Sequence, residues 1–410
     1  MKIEKLKKLK VKISNFKLKD MLDFKNLPLR RDKAIESADD KDIQTDFPIN
    51  NNARTLHPAV QRMVVSRIIE RGASDGVSDA RTIVLRTEDG KPAAWFRAGQ
   101  YVSVSLKIGD SRVTRPYSIS SSPKLTKDGK IHITVKGSRN GFVADYILKD
   151  LKEGDSVPVS GPEGRFYHDP LRDSSNVVAV AGGSGITPFL SMAYAIRDGL
   201  EDFNLTILYG SRTEESILFR NELESITEET DKVRVIHVLS EEEKEGYEHG
   251  FITADLIRRY APEDYSLFIC GPQALYSFME GVVSELGLPR RRVRREIIGV
   301  SGSMVAGPDN EAEVFHTIIV HQGPYRFEIK ASSKETVLVA MERAGITAPA
   351  RCRSGECGWC RSKLLSGTVF IPSENDFRRS KDKDTDHIHP CVTFPRSDLE
   401  IEVPRGDSEV

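Results

Sequence analysis

The sequence predicts a multi-domain protein in which an antiparallel β-barrel, a doubly wound parallel α/β domain and a small α+β module follow one another. Three observations carry this expectation. Between 57 and 172, short runs rich in Val, Ile and Tyr alternate with Gly, Asp and Pro turns, the texture of an antiparallel barrel. After Pro170 the pattern changes to strand–helix alternation, the mark of a parallel sheet wound on both faces. Beyond 313, a compact stretch holds four of the five cysteines. A length of 410 residues is too great for one ordinary core and fits this division.

Each element follows from local pattern. In the barrel, strands are expected at 64–69, 81–85, 101–106, 131–136 and 156–160. In the α/β domain, 173–300, strands are expected at 177–181, 204–209, 233–239 and 266–269. Helices are expected at 188–199, at 216–226 and after Pro272. Residues 301–312 begin Gly/Ser-rich, carry Gly307-Pro308, and read as a linker to the last module at 313–410. Residues 1–56 read as an extension with one helix: Met1 to Lys33 carries twelve Lys/Arg against four Asp/Glu, and 34–52 turns acidic and polar. A solvated arm and a docking arm for an acidic partner both fit that extension.

Composition narrows the function classes. A formal net charge of −1 gives no global pull toward nucleic acid, and no run approaches the roughly 18 apolar residues of a membrane span. The basic N-terminus lacks the apolar core of a secretory signal, and five cysteines do not form a disulfide framework, so a reducing, cytoplasmic setting is expected.

The cysteines carry the sharpest signal. Cys352, Cys357 and Cys360 are spaced C-x4-C-x2-C, and Cys391 follows after thirty residues. This is the plant-type arrangement for a 2Fe–2S cluster held by four thiolates. Gly355 and Gly358 would let backbone amides turn toward the sulfurs and tune the cluster's potential. Structural zinc and free thiols are the rivals, but zinc sites pair cysteines in two C-x2-C knuckles and only Cys357 and Cys360 form one. Trp359, inside this loop, reads as a packing residue, with shielding of the cluster or an electron exit as the alternatives.

Two further motifs suit nucleotides. In Arg115-Pro116-Tyr117-Ser118, followed by Ile119, a guanidinium can neutralise phosphate, a ring can stack on isoalloxazine, and a hydroxyl can bond near its N5. Gly182-Gly183-Ser184-Gly185 follows a buried strand and leads through Thr187 into a helix at Pro188, where the backbone can approach a pyrophosphate. Cys270-Gly271-Pro272 ends a later parallel strand, so both lie at the carboxyl edge where such sheets bind ligands. After Tyr209, Ser211 and Arg212 suit a 2′-phosphate, whereas Glu214 or Glu215 suits a free 2′-hydroxyl, leaving NADPH and NADH both open.

On these motifs, with Gly161-Pro162-Glu163-Gly164-Arg165-Phe166, residues 56–299 resemble the ferredoxin–NAD(P)H reductase superfamily. The last module resembles plant-type ferredoxins of β-grasp fold, and the domain order resembles the oxygenase-reductase subgroup. The resemblance implies that Arg115 meets flavin phosphate, Tyr117 and Ser118 meet the isoalloxazine, and Thr187 and Cys270 approach the nicotinamide. It implies a cofactor set of FAD, a 2Fe–2S cluster and NADH or NADPH. Two departures stand out. Gly141-Phe142-Val143-Ala144 lacks the hydroxyl usual at its last position, so phosphate would rest on amides of Val143 or Ala144, and FMN becomes the alternative to FAD. Two places after Glu296, where relatives often show Phe, stands Ile298. The function expected is hydride uptake from NAD(P)H and single-electron delivery to a partner redox protein: an oxygenase, a corrinoid or radical enzyme, or another acceptor. A non-catalytic nucleotide- or redox-sensing subunit is the alternative.

Overall fold

The computed structural model describes residues 47–56, 58–71, 79–137, 141–296 and 312–405, together with Leu27, Arg30 and Lys33. The linker expected at 301–312 lies outside the described residues except for Ala312, as do Ile298 and nearly all of the N-terminal extension. The elements run from a short helix α1 (Pro48–Leu56) into the barrel strands β1 (Gln61–Arg71), β2 (Ala80–Thr87), β3 (Tyr101–Ile108), β4 (Ser111–Ser118) and β5 (Lys130–Lys136). Helix α2 (Phe142–Lys149) and β6 (Ser156–Glu163) complete this part.

The barrel strands form one antiparallel six-stranded sheet in the order β4-β3-β6-β1-β2-β5. An isolated bridge between Ile119 and Ile133 joins the two edge strands and closes it, which removes the exposed edges. Its interior is filled by alternate residues such as Met63, Val65, Ile83, Leu85, Val102 and Val104, all fully buried. All five expected strands are present, and each is longer than its apolar stretch because the ladders continue into polar ends.

The second sheet is built from β7 (Asn176–Gly182), β8 (Asn204–Ser211), β9 (Val233–Leu239), β10 (Glu248–His249), β11 (Ser266–Cys270) and β12 (Val293–Arg295). It is wholly parallel, in the order β10-β9-β8-β7-β11-β12. Helices α3 (Thr187–Arg197), α4 (Arg220–Glu229), α5 (Ala254–Tyr260) and α6 (Gln273–Leu286) connect the strands. Apolar clusters lie on both faces of this sheet, as a doubly wound fold requires. The helix expected at 216–226 instead starts at Arg220. Phe219 takes a left-handed backbone (φ 60°), and Ser216 closes a separate short 3-10 turn capped by Thr213.

The main strands of the last module are β13 (Phe315–Gln322), β14 (Tyr325–Ser332), β15 (Ser362–Ser366), β17 (His387–Ile388) and β19 (Leu399–Glu402). They form a five-stranded mixed sheet in the order β14-β13-β19-β15-β17. Beside it, β16 (Val369–Phe370) and β18 (Phe394–Pro395) make a two-stranded ribbon. Helix α7 (Val337–Arg343) packs Val337, Leu338, Ala340 and Met341 against the sheet and is capped by Thr336. Among the described residues no helix is long and apolar enough to cross a membrane.

Candidate functional site

The nucleotide-type turn and the Cys270 motif end neighbouring strands, since Ala181 of β7 pairs with Cys270 of β11. Gly182 to Gly185 turns through a short 3-10 segment, Gly183–Ile186, before α3, so the helix opens at Thr187 with Pro188 as its second residue. Here glycine is obligatory. A Cβ on Gly185 would stand 2.1 Å from the Cys270 carbonyl oxygen. Gly183 sits at φ 53° with open space where its Cβ would be, leaving backbone accessible to a ligand. Tyr209 props the turn by donating to Gly183 O (3.0 Å) while its oxygen accepts from Leu218 N. Thr187 Oγ1 donates to Ser184 O. In the loop after β8, Ser211 is half-buried and Arg212 is exposed, 3.6 Å from Glu241. Glu214 is already engaged by Arg220, Lys244 and Tyr247.

β4 brings the Arg115 motif to this carboxyl edge. Ser118 Oγ donates to Glu296 Oε2 at 3.0 Å, and the Cys270 thiol lies 3.6 Å from the same oxygen. Glu296 Oε1 is buried with no partner among the described residues. Burial pushes this carboxyl up to about 8, against the opposing pull of the two donors. Burial also raises the Cys270 thiol, with Glu296 adding to it, so Cys270 stays protonated. Sequence reasoning marked Glu296 only as the place of a departure. Its meeting with Ser118, 178 residues away, had no local signal.

Arg115, on the same strand, points to a different neighbour. Its Nη1 lies 3.2 and 3.3 Å from the two carboxylate oxygens of Glu342 on α7 and also donates to Thr114 O. Tyr117 packs against the barrel core, and burial pushes its phenol up to about 12. Pro116 is buried and Ile119 lies within the core. Gly141 caps α2, whose first turn presents the amides of Val143 and Ala144; the Val143 side chain is buried in the barrel.

The cysteine loop holds its sulfurs in two pairs. Cys360 and Cys391 have sulfurs 3.4 Å apart, and Cys352 and Cys357 are joined through their side chains, a contact that lowers the Cys352 thiol. Amides of Ser354 and Cys357 point at Cys352 Sγ, and that of Trp359 points at Cys357 Sγ, at 3.4–3.5 Å. Left-handed backbone at Arg353, Gly355 and Gly358 makes these amides converge. A Cβ on Gly355 would come within 2.4 Å of Asn375 O. Two thiol pairs suit a two-iron cluster, each iron taking two thiolates. A single zinc needs its ligands around one point, whereas these sulfurs are held as two pairs.

Comparison with known proteins matches this division. Residues 74–168 match the family model for an oxidoreductase FAD-binding domain, 179–281 that for an oxidoreductase NAD-binding domain, and 320–396 that for a 2Fe–2S iron–sulfur cluster binding domain. The chain is 28% identical over 325 residues to the glycine betaine monooxygenase reductase subunit of Pseudomonas aeruginosa, covering 75% of this chain and 87% of that protein. It is 29% identical over 357 residues to the 3-ketosteroid-9-alpha-monooxygenase ferredoxin reductase component of Rhodococcus rhodochrous, covering 83% and 96%. The solved structure of phthalate dioxygenase reductase is similar over 84% of this chain and 98% of its own, with a TM-score of 0.60 and 26% identity.

The protein is therefore an NAD(P)H-dependent iron–sulfur flavoprotein reductase, using FAD and a 2Fe–2S cluster. It belongs to the ferredoxin–NAD(P)H reductase family, in the branch with a C-terminal 2Fe–2S domain.

Proposed function

We propose that the protein is the reductase component of a two-component oxygenase: it takes a hydride from NAD(P)H at one seam of its flavin barrel and delivers electrons singly to the oxygenase through the cluster. One observation carries the route. Ser118 and Arg115 lie three residues apart on β4, and they reach the nucleotide module and the cluster module respectively. The partner reading is supported by the relatives, which are named as reductase components of monooxygenases.

The residue roles follow from position. Arg115 would hold the flavin phosphate, with amides of Gly141, Val143 and Ala144 at the start of α2 as a second contact. Pro116, Tyr117, Ser118 and Ile119 would line the isoalloxazine. The turn from Gly182 to Gly185, with Thr187, Pro188, Ser211 and Arg212, would hold the nucleotide, and Cys270, Gly271 and Pro272 would flank the nicotinamide. Cys352, Cys357, Cys360 and Cys391 would bind the irons. The module limits are set near 57–172, 173–300 and 313–410.

When bound, the flavin accepts a two-electron hydride and releases single electrons that the cluster can take one at a time. The chain's own residues set geometry and protons. Ser118 and Cys270 both donate to Glu296 Oε2, so the proton favoured by burial sits on Oε1, the oxygen without a partner among the described residues. The shared apolar packing of barrel and nucleotide sheet keeps water from this seam.

An anaerobic reductive titration tests the reading. The holoprotein should take up about three electrons per chain, two in the flavin and one in the cluster. Boiled protein should release FAD rather than FMN. NADH and NADPH, compared by kcat/KM, should reveal one preferred donor, and nucleotide oxidation should couple to product formation when the oxygenase component is added. Zinc in place of iron, or reduction that stops at the flavin, would overturn it.

A further inference from the structure

Two ion-pair sets straddle Cys352 and join the cluster module to the barrel. On one side Glu342 is a shared carboxylate. Its Oε1 accepts from Arg353 Nη1 at 2.6 Å, and both its oxygens face Arg115 Nη1 of β4. Its side chain is 8% exposed and Arg353's 10%, while Arg115 is half-buried at 24%. The neighbouring backbone joins in: Ser111 Oγ donates to Glu342 O at 2.8 Å, and Arg353 reaches toward Thr114 O. On the other side Arg351 pairs with Glu163 at the end of β6, and its guanidinium stacks 3.5 Å over the Trp359 ring. Arg351 and Arg353 are the two residues flanking Cys352. Both are thus held by barrel or barrel-bound carboxylates.

We propose that Glu342 is a positioning residue for electron transfer. With the Glu163–Arg351 pair it clamps the cluster loop on the barrel and fixes the distance from the flavin site to Cys352. The apolar core of the cluster module, made of residues between Ile318 and Val403, includes no barrel residue. Seating therefore rests on charge and hydrogen bonding. A carboxylate buried between two guanidinia costs little only while both partners stay. Removing it leaves the desolvated Arg353 guanidinium facing the half-buried Arg115 without a counter-charge and drives the faces apart. The inference rests on the proposed route from flavin to cluster.

The test uses holoprotein in anaerobic stopped flow, following flavin bleaching and cluster reduction separately, with small-angle X-ray scattering of the same samples. Glu342→Gln should slow cluster reduction by about tenfold or more and enlarge the radius of gyration. Glu163→Arg leaves the cluster loop's sequence intact, so it covers the case where Glu342→Gln fails to fold. Glu163→Arg and Arg351→Glu should each slow cluster reduction while flavin bleaching stays unchanged, and the double charge swap should restore both rate and dimensions. Wild-type rates and dimensions in the single variants, or a double variant as slow as the singles, would overturn the clamp. If nucleotide leaves the wild-type cluster oxidised, the route itself fails, and the scattering comparison still decides the clamp.

Discussion

The barrel meets the nucleotide module through a shared apolar core and the cluster module without one. At the first, Ala80, Ala98 and Phe166 of the barrel side join the same apolar cluster as Phe189, Met192 and Phe268. Backbone-directed bonds such as Ser191 Oγ to Ser121 O at 2.7 Å and Arg294 to Arg165 O at 2.8 Å complete it, together with an ion pair between Arg71 of β1 and Glu222 of α4. At the second seam ion pairs with Glu342 and Glu163 as acceptors lead, beside the Ser111 Oγ bond to Glu342 O, and no barrel residue joins the module's apolar cluster. The difference follows the task. Hydride transfer needs reacting atoms in contact and water excluded, which a continuous core supplies. Electron transfer needs only a fixed separation, which a few directional charges can set.

The largest test removes one side of the comparison. Cys357→Ser should lose the cluster, seen as loss of its visible absorption and iron content, and should abolish reduction of a one-electron protein acceptor such as cytochrome c. NAD(P)H-driven ferricyanide reduction should persist, because the first seam is untouched.

Glu296 probes the first seam through pH. Its folded value of about 8 lies above the ordinary 4.5, so the folded chain keeps a proton that the unfolded chain releases. Stability from this group is complete below about pH 4.5, declines as pH rises, and is lost once pH passes about 8. Glu296→Gln should flatten this decline. In urea titrations the variant should match the wild type near pH 4.5 and exceed it at pH 9, by at most about 5 kcal/mol.

Arg115 belongs to both seams' strand and should show a smaller, mixed effect. Arg115→Ala should weaken flavin binding by about 1.5–3 kcal/mol, measured by equilibrium dialysis, through loss of a charge-assisted phosphate contact. The smallest expected effect is that of salt. Raising ionic strength to about 1 M should slow cluster reduction by about two- to threefold, the pairs being mostly buried, and leave flavin bleaching unchanged.

Much of this was legible in the sequence because it is local. Arg115 to Ser118, Gly182 to Gly185 and Cys352 to Cys360 are contiguous segments whose chemistry is carried by spacing, and the barrel and parallel strands follow from short apolar runs. What was not legible is convergence. Glu296 meets Ser118 from 178 residues away, and Glu342 meets Arg115 from 227 residues away. Nothing local in Met341-Glu342-Arg343 marks Glu342 as buried; Arg353 from its own module and Arg115 from the barrel both close on it. The start of α4 was misplaced for a different reason. Phenylalanine is rare in left-handed backbone, so nothing at Phe219 announced the break that Tyr209 supports through Leu218 N.

The pleat of β4 has a consequence for building new proteins from this one. Side chains an odd number of residues apart on a strand project to opposite faces, so Ser118 and Arg115 serve different neighbours from a rigid segment about 10 Å long. That segment is a portable adaptor. A foreign ferredoxin given an acid at the place of Glu342 and arginines on either side of its first cluster cysteine would present matching charges to Arg115 and Glu163. Chimeric reductases could then be assembled by rewriting a handful of surface positions, with the hydride-accepting half left as it is.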